Sequence, residues 1–142
     1  MKRKSLENDA CPVARALEAA GDVWSMLIVR DAFAGKRRFG EFQQSLGVAK
    51  NVLTVRLRKL VALGVLEQIP SADGSAYSQY VLTAKGRGLI LVLVTLGQWG
   101  CGESKLRLVD RKKGDPVRLE LRSEDGQTLS LDEVGMVPVS GA

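Results

Sequence analysis

The chain contains no histidine and only two cysteines, Cys11 and Cys101, among 142 residues. Without histidine it lacks the commonest general base and the side chain most often used on zinc. Two cysteines with no CxxC spacing cannot build a disulfide framework or a zinc cage, so neither a metal nor a cofactor is expected. Long apolar runs are missing too: the longest, residues 89–94, is far short of the ~20 residues that span a bilayer. The Met-Lys-Arg-Lys start leads into polar residues rather than an apolar stretch, so no signal peptide is expected, and the setting is read as cytoplasmic and reducing. There is no glycine-rich phosphate loop, no Gly-x-Ser-x-Gly elbow and no acidic cluster, and a serine or cysteine nucleophile would have no histidine to activate it. An enzyme is therefore not expected.

What is present is an ordinary globular balance, 45% hydrophobic and 26% charged residues, enough for one core of moderate size. The net charge is +5, and its distribution says more than its size. Residues 36–59 hold Lys36, Arg37, Arg38, Lys50, Arg56, Arg58 and Lys59 against Glu41 alone, a net +6. A basic patch confined to one region suits the dense negative line of a duplex backbone, although a merely solvated face has the same composition.

The chain reads as an arm, a mainly helical body and a tail. Residues 1–10 are polar. Pro12 suits a first helical turn, with Cys11 at the N-cap; Val13, Ala16, Leu17 and Ala20 then form one apolar stripe. Gly21 stops that helix and Asp22 caps a second, expected over about 23–33 with Trp24, Leu27 and Ile28 inward. Gly35 ends it, and Lys36, Arg37 and Arg38 form a basic connector. A short third helix is expected over 39–46, with Phe39, Phe42 and Leu46 on one side, and a fourth over about 50–63, between Gly47 and Gly64. Residues 65–69 and 77–82 predict the strands of a hairpin whose turn is rich in Pro, Ser, Asp and Gly. Thr83 caps a last helix, expected to be continuous over about 84–99. After Gly100 the charge becomes nearly balanced, and short alternating stretches (Leu106 and Leu108; Val117, Leu119 and Leu121; Leu129 and Leu131) around Asp125 and Gly126 predict a small β appendage. The division expected is a flexible arm, 1–10, a main domain, 11–100, and a β-rich extension, 101–142.

The fourth helix carries the functional expectation. Leu53, Leu57, Leu60 and Val61 form its buried stripe, and Asn51, Thr54, Val55 and Arg58 lie on the opposite face. An ordinary solvated face would carry more glutamate and lysine. Asn pairs with adenine, Arg with guanine, and Val or Thr methyls touch the thymine methyl. In a helix-turn-helix the second helix enters the major groove N-terminus first. Lys50, Asn51 and Thr54 are therefore the leading base contacts, Arg58 reaches base or phosphate, and Lys36, Arg37 and Arg38 are further DNA-binding candidates.

The order of elements carries a resemblance. Cys11, Pro12 and Val13; Trp24 with Leu27, Ile28 and Arg30; Arg38, Phe39, Gly40, Glu41 and Phe42; Val52, Leu53, Arg56, Leu57 and Leu60; Gly64, Val65 and Leu66; Tyr80 through Gly86; and Trp99 with Gly100 make residues 11–100 similar to the HxlR-type transcriptional regulators, relatives of the MarR group. The resemblance implies an α+β, mainly α, winged helix-turn-helix that acts as a homodimer on double-stranded DNA in the bacterial cytoplasm. It implies the fourth helix in the major groove, the hairpin as wing, and a dimer interface built by the first and last helices, here Val13, Leu17, Leu89, Val92, Leu93, Leu96 and Trp99. The chain departs from the family pattern at Ala49, where a capping Ser or Thr is usual, at a wing tip that carries Asp73 and no Lys or Arg, and at Gln79, where a glutamate is common.

The dimer expectation also has a footing of its own: residues 89–94 are apolar on every side, which a helix buried on one face does not need. A second copy would cover the other face, or the tail would. A palindromic operator with half-sites about one helical turn apart, ~34 Å, follows from the dimer. Cys11 at a helix N-terminus, with Arg15 one turn on, is a candidate redox sensor, since the dipole favours a thiolate; some members of the family sense oxidants or quinones at this Cys-Pro position. A purely structural cysteine is the alternative. A small aromatic effector is a candidate partner, with Trp24, Phe33 and Trp99 as candidate lining or as plain core. A winged helix that binds a protein partner instead of DNA is the remaining rival.

Overall fold

The computed structural model describes residues 3–71, 73–102 and 107–139. They form two compact units, Met1–Leu93 and Val94–Ala142. The boundary falls within the last helix, whereas the composition changes after Gly100.

The N-terminal unit has helices α1 (Pro12–Ala20), α2 (Val23–Phe33), α3 (Phe39–Leu46) and α4 (Lys50–Ala62), strands β1 (Leu66–Pro70) and β2 (Ser78–Leu82), α5 (Ala84–Arg87) and the start of α6 (Ile90–Trp99). The helix ends follow from local chemistry. Pro12 opens α1 behind Cys11. The Asp22 carboxylate accepts from the Ser25 amide, 3.0 Å, and from the Ser25 hydroxyl, 2.7 Å, to open α2. Gly47, at φ 66°, closes α3 in the left-handed region that a side chain would oppose. Ala49 leaves α4 without a side-chain cap.

The core is one cluster: Ile28 and Val29 from α2, Phe42 from α3, Leu53, Leu57 and Leu60 from α4, and Val65 and Leu66 entering β1. On α2 the fully buried positions are Ser25, Ile28, Val29 and Asp31, with Trp24 and Leu27 half-buried, so its inner face lies one position on from the expected one. The hairpin is antiparallel, with Leu66 opposite Leu82 and Pro70 opposite Ser78. Of the expected α1 stripe only Ala20 is buried; Val13, Ala16 and Leu17 face solvent.

The expectation of a single helix over 84–99 is corrected: α5 ends at Arg87 and α6 begins at Ile90. Gly86 and Gly88 weaken the helix there, and its bonding tightens to i→i−3, with the Leu89 amide on the Gly86 carbonyl at 3.0 Å and the Leu91 amide on that of Gly88 at 3.4 Å.

The C-terminal unit is loop-rich. Strands β3 (Leu121–Arg122) and β4 (Thr128–Leu129) pair antiparallel across the expected Asp125–Gly126 turn, and Val109 bridges Pro116 around a second turn. The Leu119 amide is held by Gln98 Oε1 at 2.8 Å. Leu106, half of one expected alternating pair, lies outside the described residues. No helix among the described residues is long and apolar enough to cross a membrane.

Candidate nucleic-acid interface

Because Leu53, Leu57 and Leu60 are sealed in the core, the face of α4 away from them is fixed toward solvent. Lys50, Asn51, Val55 and Arg58 are exposed and Thr54 is half-buried, its hydroxyl donating to the Lys50 carbonyl at 2.8 Å. These residues lie together on one surface of the helix-turn-helix, as their spacing predicts.

The cations divide into two groups. Arg56 Nε lies 3.3 Å from Asp22 Oδ2, and Lys59 Nζ 3.5 Å from Asp22 Oδ1; both are turned to the start of α2. Arg38 Nη2 lies 2.5 Å from Asp73 Oδ2 on the hairpin turn. Among the described residues Lys36, Arg37, Lys50 and Arg58 form no ion pair and remain for an external anion. Three of the seven cations counted between residues 36 and 59 are thus answered by carboxylates from outside that stretch. The signal for Arg56 and Lys59 was present in the sequence: at 3.6 residues per turn both fall on the flank between the buried stripe and the outer face.

Asp22 is the junction of α2 and α4. Partial burial pushes its carboxyl upward, but the hydroxyl and amide of Ser25, with Arg56 and Lys59 beside it, outweigh burial and hold it below the usual carboxylate range. A carboxyl depressed in the folded state contributes stability above its unfolded value, about 3.9, and that contribution fades as pH falls through the folded value. Asp22→Ala is expected to cost about 1–2 kcal/mol at neutral pH. The deficit should shrink below pH 4 in denaturant titrations; a deficit that stays constant down to pH 2 would contradict the assignment. Where the basic connector meets α3, Glu41 Oε1 accepts from the amides of Arg37, 3.2 Å, and Arg38, 3.0 Å, which lowers its own carboxyl and sets the entry of the chain into α3.

A cleft of about 430 Å³ runs between α4 and the hairpin, lined by Phe39, Thr54, Arg58, Val61, Ala62, Gln68 and Tyr80. Trp24, Phe33 and Trp99, the expected effector lining, are absent from it. Phe33 packs against the core, and Trp99, in the C-terminal unit, is 87% exposed. Of the interface candidates, Leu89 and Leu93 also pack against the core, while Val13, Leu17, Val92 and Leu96 are exposed. Cys11 is half-buried and free, and Cys101 is exposed and free. Arg15 donates to the Asp9 carbonyl at 2.6 Å, and the Cys11 amide is held by Asp9 Oδ1 at 2.8 Å.

Residues 19–107 match the family described as HxlR-like helix-turn-helix. The chain belongs to the HxlR family. This HxlR-type chain is 40% identical over 107 residues to MT3179, an HTH-type transcriptional regulator of Mycobacterium tuberculosis, a match that spans 75% of this chain and 65% of MT3179. The chain thus covers less than two thirds of that relative. Among solved structures it is similar to PA1607, a candidate transcription factor, with 50% identity, a TM-score of 0.85, and 94% of this chain and 99% of PA1607 covered. It is also similar to the redox regulator HypR in its reduced form, at 28% identity and a TM-score of 0.58, over 63% of this chain and 90% of HypR. The family is one of helix-turn-helix transcriptional regulators rather than enzymes, and the fold is the winged helix-turn-helix of these neighbours.

Proposed function

We propose that this HxlR-type regulator binds duplex DNA sequence-specifically, as a homodimer on a palindromic operator, with α4 in the major groove. The observation that carries this is the outward face of Asn51, Thr54, Val55 and Arg58 on a helix whose opposite face is sealed in the core, together with Lys36, Arg37 and Lys50, which form no ion pair among the described residues. In this reading residues 11–100 hold DNA binding and dimerisation, and 101–142 are an extension. The dimer is supported by apolar side chains that one chain leaves in water: Val13 and Leu17 on α1 at 56% and 59% exposure, and Val92, Leu96 and Trp99 on α6. A second copy is the simplest cover.

Selection from a random duplex pool tests the proposal. An enriched palindrome bound more than about a thousandfold over scrambled DNA, with steep salt dependence, is the expected result. No enrichment under either reduced or oxidised conditions would transfer the winged helix to a protein partner.

Cys11 is the proposed control point. It is a free thiol at the N-cap of α1, and HypR, a structural neighbour, is a redox regulator. Cys11→Ser is expected to bind operator as wild type does and to lose any response to diamide or a quinone; an unchanged response would remove Cys11 from the mechanism. An aromatic effector is the second regulatory reading. The cleft beside Phe39 and Tyr80 is open and shares Thr54 and Arg58 with the proposed DNA-reading face, so a ligand there would compete with the duplex.

A further inference from the structure

We propose that Arg38 is a positioning residue that fastens the wing tip to the helix-turn-helix, and that Ser71 and Asp73 are its receiving pair. This goes beyond the phosphate-contact role that its charge suggests, and its DNA readout rests on the function proposed above.

Arg38 stands at the N-cap position of α3, and its guanidinium reaches across to the hairpin turn. Nη2 donates to Ser71 Oγ at 3.0 Å and to Asp73 Oδ2 at 2.5 Å. Ser71 is buried, with 7% exposure, and its hydroxyl donates to Asp73 Oδ1 at 2.6 Å, so it accepts from the arginine and donates to the carboxylate at once. Asp73 Oδ1 takes the Ser75 amide as well, at 3.0 Å. Hydrogen bonds from Ser71, then from Arg38 and Ser75, hold the Asp73 carboxyl far below the usual range, so it is ionised at neutral pH. One residue back, the Arg37 carbonyl accepts the Tyr80 amide from β2 at 2.7 Å. Residues 37 and 38 therefore hold the hairpin at two places, a strand and the turn.

The hairpin needs this. Two strands alone are marginal, and β1 and β2 are anchored to the core through Leu66 and Leu82 at the end away from the turn and Tyr80 at mid-strand. Among the described residues beyond Pro70, no apolar side chain of the tip packs against the core, and Tyr77 is 75% exposed. Residues 66–82 contain Glu67 and Asp73 and no lysine or arginine, so the wing has no cation of its own to offer a phosphate. Arg38, the cation at its turn, is occupied by Asp73. The wing therefore acts by shape, held at a fixed angle to α4, and the phosphate contacts fall to Lys36, Arg37, Lys50 and Arg58.

Asp73→Asn, Arg38→Gln, Arg38→Lys and the double variant Asp73→Asn with Arg38→Gln test this, with two measurements on each. In the free protein, amide hydrogen exchange at residues 74–78 is expected to speed up about fivefold in each single variant, with the double variant no faster than either. Arg38→Lys keeps the charge but loses the fork, and is expected to leave the tip as open as Arg38→Gln does. On the selected operator, Asp73→Asn and Arg38→Gln should both weaken binding, and the salt slope of Arg38→Gln should match wild type. Unchanged exchange in the single variants would overturn the clasp. Tighter operator binding by Asp73→Asn, with a salt slope lower by about one in Arg38→Gln, would overturn the positioning role and make Arg38 a phosphate ligand restrained by Asp73. Should wild type bind no duplex, the function proposed above fails, and the exchange measurement still decides the clasp.

Discussion

Replacing Gly86 by alanine is expected to destabilise the N-terminal unit by about 3 kcal/mol or more, at the upper end of overpacking costs. A Cβ on Gly86 would lie 2.1 Å from the Val65 carbonyl oxygen and 3.1 Å from the Leu82 side chain. The obstacle is backbone, which cannot turn aside as a side-chain tip does. It is also pinned: the Val65 carbonyl accepts the Thr83 amide at 3.1 Å and the Thr83 hydroxyl at 3.2 Å. That same hydroxyl donates to the Gly64 carbonyl and takes the Gly86 amide at 3.0 Å. The added methyl therefore pushes on the junction where α4, β1 and α5 meet. Gly40 supplies the contrast. It lies inside α3, and a Cβ there would meet nothing within 4 Å, so Gly40→Ala is expected to stabilise by roughly 0.5–1 kcal/mol through the entropy of the unfolded chain. Urea midpoints at unchanged m-values measure both. A Gly86→Ala variant within 1 kcal/mol of wild type would mean that α5 moves freely over β1.

The boundaries of α1 to α4 were legible because each end has a local cause: Pro12, Asp22, Gly35, Gly47 and Gly64 act within one turn of where they stand. The break between α5 and α6 was not, because residues 89–94 are apolar throughout and read as an unbroken continuation, while the glycines that loosen the turn carry no side chain to show in a periodic pattern. The outer face of α4 followed from its buried stripe, since a helix leaves only one direction open once Leu53, Leu57 and Leu60 are fixed. Charge was misleading in a particular way. A count along the sequence assigns Arg38, Arg56 and Lys59 to the same patch as Arg37 and Arg58. Helical phase sets Arg56 and Lys59 on the flank of α4, but the carboxylates that answer them and Arg38 come from distant parts of the chain, with Asp73 35 positions beyond Arg38, so only the folded arrangement pairs them. The α1 stripe shows a different limit. Periodicity identifies an apolar face, but it does not say what covers it, and within one chain Val13 and Leu17 remain in water.

The division of the cations makes the candidate interface testable residue by residue. Asn51→Ala and Arg58→Ala remove groups from the outer face of α4, and each is expected to weaken operator binding about tenfold to a hundredfold if it reads a base. Asn51 is neutral, so its loss should relax preference at one operator position and leave the salt dependence as it was. Arg37→Ala and Lys50→Ala remove unpaired cations; binding should fall by a similar factor on operator and scrambled DNA alike, with the salt slope lower by about one for each. Arg56→Ala and Lys59→Ala are the decisive controls. They lie in the same basic stretch of sequence, yet both face Asp22, so they should lower stability and leave the slope unchanged. The comparison separates two accounts of the same composition. If the stretch acts as a diffuse positive cloud, every cation in it changes the slope alike, and Arg56 and Lys59 will be indistinguishable from Arg37 and Lys50. If the fold sorts the cations, with a carboxylate at the start of α2 taking two of them out of reach, only the unpaired residues will respond to salt, and the duplex must approach α4 from the side that Asn51, Val55 and Arg58 share.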